Sequence, residues 1–136
     1  MRITYLLFIM GCTYCASVNG QSIETTNLKW GVDQVTNTQK NELIPSESWL
    51  QTQGQVIKWY QKGGLVVYEF FITGRDGSWT DISLTGEYRY AITFRGLTGS
   101  LVFRRTSSGL EADLNVNKDN SNLMPYRFHI INVSSL

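Results

Sequence analysis

Few side chains in this 136-residue chain could carry covalent or acid–base chemistry. They are two cysteines, Cys12 and Cys15, one histidine, His129, and the carboxylates. Cys12-Thr13-Tyr14-Cys15 has the spacing of redox and metal-binding pairs, but it lies in a hydrophobic leader. A Ser-His-Asp triad would have to use His129. No Gly-x-Ser-x-Gly elbow occurs, and Gly99-Ser100-Leu101 has only part of that pattern. Glu69 stands inside an apolar run, where burial could perturb a carboxylate. The plainer reading pairs Glu69 with an arginine across a sheet or puts it on an exposed edge. Asp113-x-Asn115-x-Asn117-x-Asp119 imitates the start of a calcium loop. Its sixth and twelfth positions are Lys118 and Met124, where such a loop needs Gly and Glu. These residues predict no enzyme, no metal site and no cofactor.

The first twenty residues change the inventory. Met1-Arg2 is followed by the apolar run Ile3 to Met10, then by Gly11, Cys12 and small or polar residues to Gly20. This order predicts a secretory signal peptide over 1–20, cut between Gly20 and Gln21, with a cut after Ser17 as the alternative. The apolar stretch is too short and interrupted for a membrane span, so no membrane anchor is expected. Removal takes both cysteines away. It also leaves eleven Lys/Arg against eleven Asp/Glu, because Arg2 is one of the twelve basic residues. A chain of zero net charge with no basic run does not predict nucleic-acid binding. The remaining 21–136 reads as one domain held by its core, without disulfides.

The elements that must position any site are strands. No long segment has a 3.6-residue apolar period. Tyr88, Tyr90, Ile92 and Phe94 alternate with Arg89, Ala91, Thr93 and Arg95. Leu110 to Asn117 and Tyr126 to Ile131 alternate likewise, and Gln55–Tyr60 and Ser100–Arg105 are shorter strands of the same kind. Leu65 to Ile72 is apolar on both faces except at Glu69, and predicts a central strand covered on two sides. Turns are expected at Lys62-Gly63-Gly64, Thr73 to Ser78, Gly96 to Gly99 and Lys118 to Asn122. Asp33 to Gln53 is polar and contains Pro45; Ser46 to Leu50 reads as a short helical turn or a loop whose Trp49 plugs the core. The pattern predicts an all-β antiparallel sandwich or open barrel of about seven to eight strands. An exposed edge strand in it would permit a dimer.

Binding candidates follow from the aromatics. The chain has four tryptophans, Trp30, Trp49, Trp59 and Trp79, and exposed indoles suit sugars or partner proteins. Trp79 follows a turn beside Arg75 and Asp76, so Arg75, Asp76 and Trp79 are the expected ligand or partner contacts. A small secreted barrel could also carry a small apolar ligand. Trp30-Gly31 reverses the Gly-x-Trp opening of lipid-carrying barrels, however. Asn132-Val133-Ser134 is a glycosylation sequon, making Asn132 the modification candidate.

Several segments together resemble one known family. They are Leu28-Lys29-Trp30-Gly31, Asn41-Glu42-Leu43-Ile44 through Ser48, a strand ending Trp59-Tyr60, Val66 to Ile72, Arg75-Asp76-Gly77, and Gly86 to Phe94. Their order is similar to that of the insect multiprotein bridging factor 2 family, which includes small salivary secreted peptides. The similarity runs from Leu28 to Phe103. The chain departs from the family's double glycine at Thr85-Gly86 and from its Tyr-Pro at Tyr60-Gln61. In this register Arg104 to Leu136 lies beyond the family's last strand; a second register places Tyr126 to Val133 on that strand. The resemblance implies a secreted β-protein of saliva or haemolymph that acts by binding another protein. It also implies, as an alternative, a nuclear coactivator that bridges proteins. It supplies no catalytic residues.

Overall fold

The computed structural model describes Ser22, Ile23 and residues 27–136. The expected signal segment 1–20, its Gly20/Gln21 cut and both cysteines lie outside the described residues.

The domain is an antiparallel meander that closes on itself. Its strands are β1 (Leu28–Asn37), β2 (Glu42–Gln53), β3 (Val56–Gln61), β4 (Val66–Gly77), β5 (Gly86–Phe94), β6 (Leu97–Thr106), β7 (Gly109–Lys118), the two-residue β8 (Ser121–Asn122) and β9 (Tyr126–Ser135). Each of β1 to β7 pairs with its successor, and β9 pairs with both β7 and β1. The result is an eight-stranded barrel, with β8 as a short flap on β7. The expected all-β antiparallel architecture is present, and closure leaves no complete edge strand among the described residues.

Alternation decides what fills the barrel. Trp30, Leu50, Ile57, Phe70, Tyr90, Leu101, Phe103, Leu114 and Phe128 point inward and are at most 1% exposed. An eight-stranded barrel has an interior just wide enough for side chains to fill. Here aromatic rings fill it in two groups. Trp30 packs on Phe103 with ring centroids 4.4 Å apart, and Tyr90 meets Phe103 edge-on at 6.0 Å. Towards the other end Trp59 meets Phe128 edge-on at 4.8 Å, and Phe70 lies 5.1 Å from Phe94. The Trp30 indole donates to the buried Thr52 hydroxyl at 3.2 Å, so its polar edge is satisfied inside the core. A ligand carried inside the barrel would have to displace these rings.

Five local expectations are corrected. The segment 33–53 holds no helical turn or plug: it contributes the end of β1 and all of β2. Pro45 is tolerated because residues 42–48 of β2 pair with β1 but not with β3, so no second ladder needs its missing N–H. Trp49 does not plug the core; it lies half-buried on the outer face, stacked on Tyr60 at 5.0 Å. Leu65 to Ile72 is not covered on two sides. Its outward residues Val67 and Phe71 are 42% and 53% exposed, because no second layer among the described residues packs on this face.

The third correction concerns 73–78. This stretch is strand up to Gly77, not turn. The register shifts between Ile72 and Gly74, leaving Thr73 as a bulged residue. The true connection is 78–85, and it folds back over the barrel end. The fourth correction concerns Trp79, which is not exposed. It is 3% exposed, donates to the Leu84 carbonyl at 3.0 Å and packs with Ile82 and Ile23 as a plug. Gly86 makes room for it, since a Cβ there would overlap the indole. The hairpin expected at Gly96 to Gly99 is tighter: Arg95 (φ 50) and Gly96 (φ 80) form the turn and Leu97 starts β6.

Inner and outer faces should respond differently to truncation. Phe103→Ala is expected to cost about 3–5 kcal/mol, and Phe71→Ala less than about 0.5 kcal/mol, in urea unfolding. Equal losses would contradict the facing of β4 and β6.

Candidate functional site

The three expected contact residues do not form one surface. Before the bulge at Thr73, the even-numbered residues of β4 face inward, Phe70 and Ile72 among them. After it Arg75 stands opposite inward-facing Tyr90, and Asp76 opposite exposed Arg89. The bulge therefore turns Arg75 towards the barrel mouth and Asp76 outward, a re-aiming typical of bulges. Arg75 donates to the Gly54 carbonyl at 2.6 Å, and its guanidinium carbon lies 5.6 Å from the Tyr90 ring. Arg75, Tyr88, Tyr90, Thr52 and Gln55 help line a mouth cleft of about 390 Å³. Trp79 lies below, in the plug.

The acid–base candidates are dispersed by the same geometry. His129 Nδ1 lies 2.7 Å from Asp33 Oδ1 on the outer face where β9 meets β1. Ser100 is opposite Asn115 of β7, whereas His129 is opposite Glu111. Two strand spacings and four residues along β7 separate them by roughly 16 Å. Glu69 is exposed and opposite Lys58 on β3, not an arginine. Asp113 and Asn115 do not converge: Asp113 receives Arg104 and Arg127, and Asn115 accepts from the Asn122 amide. Among the described residues no three His, Cys, Asp or Glu side chains gather as a metal site.

What the outer face of β5, β6, β7 and β9 does hold is an ion-pair network. Arg104 on β6 bonds both Asp113 and Glu111 of β7 and reaches Glu87 of β5 at 4.0 Å. Arg127 on β9 donates through Nε to Asp113 at 2.8 Å. These side chains lie around Val102, an outward residue that is nevertheless buried. Partial burial pushes the Asp113 carboxyl up, but hydrogen bonds from Arg127 and Arg104 outweigh it and hold it below the ordinary aspartate value. The same bonds raise both arginines. The network clamps β6, β7 and β9, the strands that close the barrel.

The outer face of β2, β3 and β4 is different. Trp49 and Tyr60 stack at an interplanar angle of 9°, and the Lys29 ammonium lies 4.8 Å from the Trp49 ring centroid. Next to them are Val67, Phe71 and the half-buried Val56, with Leu65 88% exposed in the turn just before β4. Between Val56/Phe71 and Tyr60/Val67 this surface is crossed by a polar row, Gln51 of β2, Lys58 of β3 and Glu69 of β4. The sequence carried a signal for it that reading β4 as doubly buried overlooked. Glu69 shares its face with Val67 and Phe71, and a carboxylate without an evident partner marks that face as wet. Asn132 is exposed beside this region, on β9 opposite Gly31. A side chain at Gly31 would collide with it.

Comparison with known proteins adds nothing to this geometry: no family model, no curated protein and no solved structure matches the chain.

Asp113→Asn is expected to cost about 1–3 kcal/mol at neutral pH, because two charge-assisted contacts are weakened at a half-covered site. A depressed folded-state pKa gives stability that is present above the unfolded value, about 3.9, and lost as pH falls through the folded value. The difference between wild type and Asp113→Asn in urea melts should therefore shrink below about pH 4. A difference that persists undiminished at pH 2 would contradict the ion-pair account.

Proposed function

We propose that this protein is a secreted, non-catalytic binding protein, and that it engages another protein through the outer face of β3 and β4. One observation carries the reading. Val67, Phe71 and Leu65 are large apolar side chains held in water on a barrel whose interior is already filled. They contribute little to the core, and contiguous apolar patches on small domains mark interaction sites. The Trp49–Tyr60 stack extends the patch with rings that lose little entropy on binding. A fitting partner is a protein surface with an apolar patch and an acid–base pair to meet Lys58 and Glu69. The signal segment and the resemblance to the bridging-factor family support secretion and a role in binding. A second reading, capture of a small ligand, draws on the mouth cleft around Arg75.

Two measurements test this. Intact mass of the native protein is expected to show a chain starting at Gln21 in extracellular fluid. A chain starting at Met1 in nuclei would favour the coactivator reading instead. A photo-crosslinker at Phe71 is expected to trap protein from that fluid. The same crosslinker at exposed Thr98, on β6, is expected to trap none. Equal yields from both positions would overturn the assigned face.

A further inference from the structure

We infer that the partner of the β3–β4 face is a second copy of the same face, so that the protein forms a two-fold dimer. This rests on the protein-binding reading and names its partner. Across the two strands Val56 is opposite Phe71, Lys58 opposite Glu69, and Tyr60 opposite Val67. A two-fold axis running between the strands and parallel to them lays β3 of one copy over β4 of the other. Every residue then meets the counterpart of its own cross-strand neighbour. Lys58 meets the partner subunit's Glu69, Val56 meets the partner subunit's Phe71, and Tyr60 meets the partner subunit's Val67. An isologous interface must be self-complementary in this way.

Four further observations fit. Among the described residues neither Lys58 nor Glu69 has an ion-pair partner within 4.0 Å, so both charges await one. The charges on the opposite side of the barrel are already paired within the chain. A depression of about 240 Å³, lined by Gln51, Gln53, Val56, Lys58 and Glu69, lies where the partner subunit's Phe71 would arrive. Closure of the barrel excludes dimerisation by edge pairing along a whole strand, which leaves packing of one face on another.

Sedimentation velocity on the purified protein from about 1 to 200 µM is expected to show a monomer–dimer equilibrium, as befits a small interface. Lys58→Glu and Glu69→Lys alone should each weaken the dimer about tenfold or more, by facing like charges across the axis. An equimolar mixture of the two variants should dimerise again, because only the mixed pair puts opposite charges at both contacts. Charges interacting solely within one chain would give no such recovery. Phe71→Glu should abolish the dimer. A monomer at every concentration, or single variants that dimerise like wild type, or a mixture that fails to recover, would overturn the proposal. If the protein is monomeric while Phe71 still crosslinks to a different protein, the second-copy assignment falls and the binding face stands.

Discussion

The pairing of β9 with both β7 and β1 is the constraint on which the rest of this molecule depends. It turns a meander, which would have two long unpaired edges, into a ring. Once the ring closes at eight strands, the interior volume is set, and only large side chains fill it without voids. That explains the distribution of the aromatics. Trp30, Trp59, Phe70, Tyr90, Phe103 and Phe128 all point into the barrel. The loop 78–85 supplies Trp79 and Ile82 to seal one end, while Met124 is buried in the connection leading into β9.

Closure also sorts the outer surface. Where the ring is joined, β6, β7 and β9 exchange ion pairs that cover Val102 and hold Asp113 below its ordinary pKa. Charge there is consumed internally. On the β2–β4 side no equivalent network forms among the described residues, and the outward Trp49, Tyr60, Val67 and Phe71 stand on either side of a polar row. The two halves of one barrel thus present different chemistry, one self-satisfied and one available to a partner. A filled interior adds weight to that division, because it leaves the surface and the mouth as the places where binding can occur.

The bulge at Thr73 shows how one residue redistributes candidate sites. Without it, Arg75 would share the outer face with Phe71 and Thr73. With it, Arg75 turns to the mouth and stands over Tyr90, while Asp76 turns outward. Arg75 and Asp76, adjacent in sequence, and nearby Trp79 therefore serve three separate environments.

The period-two alternation in 88–94, 110–117 and 126–131 was enough to establish an antiparallel all-β protein and the inner residues of those strands, because each such strand has one buried face and one wet face. By the same logic His129, alternating with Phe128 and Ile130, lies on the outside. That logic failed where a face is wet but apolar, as at Val67 and Phe71, since hydrophobicity alone cannot tell a core from an interaction surface. It failed again at 33–53, where Pro45 and polar residues mask a strand that is paired on one side only along part of its length. Trp79 misled for a related reason: a turn residue is exposed unless its loop folds back, and only packing onto Gly86 and Ile82 decides that. Local pattern determined strand content and facing, because side-chain direction is a property of the backbone repeat. Closure, the bulge's effect on Arg75, the plug and the pairing of charges were decided by tertiary structure, because each depends on which strand arrives alongside another far away in sequence.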